Sequence, residues 1–93
     1  GANRVTELDA AGKVVNTIDT AGDEPWGVAV GKDGTVWVTN QAKDKRKGVA
    51  RFKDGNRTGA WSMTDTPQGI AVDAAGRAWV VVQNQNAVKR LAP

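Results

Sequence analysis

The fourteen residues Pro67–Val80, PQGIAVDAAGRAWV, restate Pro25–Val38, PWGVAVGKDGTVWV, at an offset of 42 residues. Seven of the fourteen positions are identical: Pro25/Pro67, Gly27/Gly69, Ala29/Ala71, Val30/Val72, Gly34/Gly76, Trp37/Trp79 and Val38/Val80. Unrelated segments would share about one. A chain that repeats itself at this interval is built from units that cannot bury their own apolar faces and must stack on one another.

The residues inside and around the repeat read as short strands. Val5-Thr-Glu-Leu8 is a V-x-x-Φ strand, followed by the turn residues Asp9-Ala-Ala-Gly12 and by Lys13–Thr20, rich in β-branched residues. Trp26–Val30 and Thr35–Thr39 are joined by Gly31-Lys-Asp-Gly34, a hairpin turn by composition. Val28-Ala-Val30 and Val36-Trp-Val38 are apolar at successive positions, which predicts burial on both faces, as in a sheet sandwiched between sheets. After the loop Asn40–Gly48, Val49-Ala-Arg-Phe52 repeats V-x-x-Φ, Lys53-Asp-Gly55 repeats the turn, and Arg57–Thr64 follows. Gln68–Val72, Arg77–Val82 and Val88-Lys-Arg-Leu91 are further copies, the last two joined by Gln83–Asn86. No segment holds a helical period, so an all-β chain is expected.

A strand-built unit of this length matches a four-stranded antiparallel propeller blade of about 42 residues. With the strands of a blade named A to D in chain order, residues 1–20 read C-D, residues 25–64 A-B-C-D and residues 67–93 A-B-C. The whole chain, 1–93, is then one two-blade unit with nine strands, one C copy more than two blades require. Two C strands compete for one slot. Retention of the N-terminal C–D hairpin is favoured, because peeling Val5–Leu8 away would leave Lys13–Thr20 supported on one side. The alternative is that Val5–Leu8 is the spare strand, since it carries Glu7 where the other copies carry Arg51 and Arg90 and a displaced N-terminus frays at little cost.

Composition removes several kinds of chemistry. The chain has no His, Cys or Tyr, so the commonest general base and metal ligand is missing along with any disulfide or thiolate. The net charge of +3 is mildly basic. No apolar run approaches the roughly 18 residues of a membrane span, no secretory pattern opens the sequence, and no membrane partner is expected. Gly1-Ala2 is the start expected of a processed or engineered chain. The compartment stays open.

The phrase P-x-G-[IV]-A-V-x-x-x-G-x-x-W-V, followed by N-x-V-x-R-L, resembles the repeat of NHL-type propellers. It is equally similar to the streptogramin (virginiamycin B) lyase-like group, which shares the Trp of strand B and a lead-in like Asn84–Val88. The resemblance covers nearly the whole chain. It implies blades of a ring of around six or seven, a fold that hosts lyases, lactonases, RNA binders and protein-interaction domains. The catalytic histidine of the lyases has no counterpart in a chain without His. No catalytic, cofactor-binding or metal-binding residue is therefore assigned, and no enzyme activity or cofactor is expected.

Trp37 and Trp79 hold one repeat position and are expected to pack blade on blade. Trp61, on an outer strand, is expected to pack too. Trp26 pairs with Gln68 in the repeat and sits where strand A begins, so the two are candidate ligand contacts on the rim. Lys43, Lys45, Arg46 and Lys47 place a basic loop on that rim, as a candidate anion contact or a solvated loop. Four cations without interleaved aromatics do not make a nucleic-acid site. Asp9, Asp33 and Asp54 are turn residues, and Asp23-Glu24 and Asp65 precede the two A strands without calcium-loop spacing. The expected partner is the chain itself: three copies close a six-bladed ring, four an eight-bladed one. The product would be a self-assembling scaffold, with a ligand- or protein-binding module, or a piece of a lyase-like propeller, as the alternative.

Overall fold

The computed structural model describes residues 4–8, 11–19, 24–44, 47–83 and 87–92. All nine expected strands are present: β1 (Arg4–Leu8), β2 (Val14–Asp19), β3 (Pro25–Val30), β4 (Val36–Asn40), β5 (Gly48–Lys53), β6 (Asn56–Ser62), β7 (Pro67–Val72), β8 (Ala78–Val82) and β9 (Ala87–Leu91). Among the described residues there is no helix. The strands form three antiparallel sheets, β1–β2, β3–β4–β5–β6 and β7–β8–β9, each pairing only sequence neighbours. The second sheet has the four strands of a complete blade, while among the described residues the third has three strands and the first two.

Turn chemistry fixes the hairpins. Asp54 and Gly55 both take left-handed φ, 52° and 82°, between the paired Lys53 and Asn56. This is the two-residue geometry whose twist matches the flanking strands. At the repeated turns, Gly34 N–H donates to the Gly31 carbonyl and Gly76 N–H to the Asp73 carbonyl, each at 3.0 Å.

Two apolar clusters hold the sheets together. Trp37 and Val49 of the complete blade pack against Ala78, Val80 and Val82 of the third sheet, with Trp61, Met63, Ile70, Val72 and Leu91 around them. Trp61 stacks on Trp37 with centroids 5.4 Å apart, a packing role as the sequence leads one to expect. The second cluster joins Ile18 of β2 to Val38, Ala50 and Phe52.

Burial on both faces holds for β4, where Trp37, Val38, Thr39 and Asn40 are all buried. It does not hold for β3. Its burial alternates, and Trp26, Val28 and Val30 are exposed. The reason is architectural: among the described residues β1–β2 packs on the β4–β5 part of this face, through Val5 and Ile18 against Val36, Val38, Ala50 and Phe52, and leaves β3 uncovered. The accessible surface is 5787 Å² for a 9.8 kDa chain, against roughly 5,200 Å² for a closed monomer of that mass.

Candidate functional site

The interface between the two repeats shows what each repeat position is for. Thr39 Oγ1 accepts from Gly27 N–H at 2.8 Å and donates to the Gln68 carbonyl at 3.0 Å, clamping β3 to β7. A Cβ at Gly27 would lie 2.8 Å from that carbonyl, so glycine is needed for the close approach. Its repeat partner Gly69 has nothing nearer than a Val81 methyl at 3.9 Å.

The two tryptophans diverge in the same way. Trp37 is 1% exposed, with the Arg51 guanidinium 5.5 Å from its ring centre and 5.3 Å from that of Trp61. Trp79 is 39% exposed, with Arg90 5.8 Å from its ring centre. Val81 and Val88 are exposed as well. The Asp73 carboxylate accepts from Trp79 Nε1 at 2.8 Å, from Arg77 Nε at 2.9 Å, and from the N–H groups of Ala75 and Arg77. These donors, the indole foremost, hold its pKa down at about 2. On the complete blade, the Thr35 N–H and hydroxyl lower the pKa of Asp33, and Lys53 Nζ donates to the Asp33 carbonyl.

At the opposite end of the stack lies a groove of about 400 Å³ between β1 and β3, lined by Val5, Leu8, Ile18, Val28, Val30 and Phe52 among others. A second recess beside it is lined by Arg4, Val5, Trp26 and Val28. Trp26, 69% exposed, thus shares the uncovered face of β3 with Val28 and Val30.

Backbone hydrogen bonds join the residues that precede each A strand to those that follow each B strand. Gln41, just after β4, donates its N–H to the Glu24 carbonyl just before β3, and Gln83 likewise to Thr66. Gln41 Nε2 reaches the Pro67 carbonyl at 3.2 Å, tying the two rims together. Gln68 is half-buried, and its amide meets Gln83 Oε1 at 3.5 Å. Lys43 is exposed and Lys47 half-buried, the latter's backbone tied to Asp44 and Met63. Lys45, Arg46, Asp9 and Asp23 lie outside the described residues. Among the described residues no group of three His, Cys, Asp or Glu is placed to hold a metal. Asn40 Oδ1 is buried on this rim without a hydrogen-bond partner. Sequence reasoning passed over Asn40, because its repeat counterpart is Val82. It also missed the reach of Asp73, whose counterpart Gly31 has no side chain.

No protein-family model matches the sequence, and no curated protein matches it significantly. Solved structures do match. A streptogramin B lyase structure superimposes with a TM-score of 0.76 at 16% identity, over 99% of this chain and 31% of the lyase. Virginiamycin B lyase from Staphylococcus aureus gives 0.74 at 19% identity, over 97% and 31%. The chain thus spans about a third of the length of these β-propeller proteins. Three antiparallel sheets stacked face to face, with the outer two incomplete, have the fold of a portion of a lyase-like β-propeller.

Proposed function

We propose that the chain is a self-assembling β-propeller fragment, a structural scaffold in which three copies close a six-bladed ring and which performs no catalysis of its own. The observation that carries this reading is the contrast at one repeat position. Trp37 is covered by the following blade, whereas Trp79 and its neighbours Val81 and Val88 are left in solvent. An open apolar face at one end of the stack and a groove at the other form a head-to-tail pair, which closes into a ring when the rotation allows. Two blades per copy make six from three or eight from four, and the trimer is the preferred count.

Native mass in solution tests this. A mass of three protomers at micromolar concentration is the expected result. A sharp monomer whose cooperative unfolding ignores protein concentration would overturn it.

The second reading is a binding module on the rim. Asn40 Oδ1, buried without a donor, is the observation in its favour. Saturable binding of a small polar ligand that Asn40→Val abolishes, with Lys43 and Gln68 as further contacts, would support it. Nucleic acid is not the expected ligand of the basic loop.

A further inference from the structure

We infer that the β7–β9 sheet of one copy docks on the uncovered face of β3 in a second copy and takes the place of β1 beside β2. This rests on the ring reading above and specifies its contact. β1 is then a placeholder, covering the edge of β2 until another copy's β9 arrives.

The internal interface supplies the template. Ile70 and Val72 of β7 pack against the Trp37 cluster, and 42 residues earlier they correspond to the exposed Val28 and Val30. Trp37 corresponds to Trp79. Docking therefore sets Trp79 against Val28 and Val30 of the second copy, as Trp37 is set against Ile70 and Val72. Gly69 gives an independent sign. Its φ is not left-handed and the space around it is open, so nothing among the described residues requires glycine there. In the docked pair the Trp26 carbonyl of the second copy, counterpart of the Gln68 carbonyl, passes over Gly69 as Gln68 passes over Gly27.

The choice between the two C strands follows from the residue beside the tryptophan. Arg51 lies over Trp37 and Arg90 over Trp79, and a guanidinium is attracted to the negative face of the indole. β1 carries Glu7 at that position, and a carboxylate there would be repelled. The strand that accompanies Trp79 is β9.

Among the described residues β9 pairs on one side only, and its other edge is the one a strand D would occupy. The β1–β2 register, Val5 opposite Ile18 and Thr6 opposite Thr17, matches that of Val49 opposite Trp61 and Ala50 opposite Ala60 in the complete blade. In the exchanged blade Val88 therefore lies opposite Ile18, and Lys89 opposite Thr17, of the second copy.

The natural absence of cysteine makes the test direct. Thr17→Cys with Lys89→Cys, oxidised at ring-forming concentration, should give a covalent ladder ending at three chains under non-reducing denaturing conditions. Thr6→Cys with Thr17→Cys should stay largely uncrosslinked in the assembled fraction. A ring of normal mass in which the second pair links within single chains and the first does not would overturn the exchange while leaving self-assembly standing. A wild-type chain that never exceeds monomer mass would overturn both. Independently, Gly69→Val should leave a folded monomer by tryptophan fluorescence and raise the concentration needed for assembly roughly ten- to a hundredfold. Unchanged assembly would refute the docking geometry.

Discussion

Trp79 is anchored by Asp73: the indole Nε1 donates to the carboxylate at 2.8 Å, holding an exposed ring in one orientation on the sheet face. The same carboxylate closes the β7–β8 turn through two backbone N–H groups. Its folded pKa of about 2 lies below the ordinary 3.8. A depressed carboxylate pKa contributes stability that is fully present above 3.8 and is lost as pH falls through 2. Acid unfolding followed by tryptophan emission should therefore steepen across that window. Asp73→Asn should remove that part of the pH dependence and leave the curve above pH 4 flat; an unchanged acid limb would show that the bond does not persist in solution.

Trp37 is the central side chain of the contact between the second and third sheets. It is 1% exposed and stacked on Trp61. Trp37→Ala should cost about 3–5 kcal/mol, the range for a large buried aromatic whose cavity cannot collapse. Trp79→Ala, measured on dilute chain, should cost much less, because that ring is already 39% exposed. Denaturant midpoints of the two variants compare them, and equal costs would contradict the difference in burial.

The strands and their order were legible because Gly12, Gly34, Gly55 and Gly76 punctuate the apolar runs, and all four adopt left-handed φ in hairpin turns. The spacing of Pro25, Gly27 and Trp37 revealed the stacking unit. The state of Trp26, Val28 and Val30 was not legible, since their exposure depends on what packs against β3 and not on the pattern within it. Residue pattern records what a strand face is suited to, and covering it is a property of its neighbours. The Asp73–Trp79 bond escaped for a different reason: comparison of the repeats hides what only one of them carries. Asn40 is similar, a buried amide where the other repeat has Val82.

Gly48 opens β5 with φ of 150°, in the region L side chains rarely adopt, and a Cβ there would lie 1.8 Å from the Trp61 carbonyl oxygen. That oxygen belongs to the backbone, so no side-chain rotation relieves the clash. Gly48→Ala should separate β5 from β6 and destabilise the fold on the order of 4 kcal/mol, at the diagnostic end of single substitutions. Gly12→Ala, with left-handed φ but nothing within 4 Å, should cost only about 1 kcal/mol. Thermal unfolding of the pair separates steric clash from conformational preference.

Removing the two terminal strands in turn should have opposite dependence on concentration. Loss of residues 1–8 takes away β1, of which only Val5 is half-buried, and leaves Ile18 in its cluster. In dilute chain β2 then has no strand partner, so some stability is lost. At high concentration β9 of another copy fills that edge, and the deletion becomes neutral or favours assembly by removing a competitor. Loss of residues 87–93 takes away Arg90 from Trp79 and Leu91 from the Trp37 cluster. No other strand brings an arginine to that position, so this cut damages the dilute chain and the assembled state alike. Unfolding midpoints measured at low and high protomer concentration for both deletions decide the matter, since stability drawn from assembly rises with concentration. Damage from the 1–8 deletion that persists at high concentration would mean that β1 keeps its place beside β2.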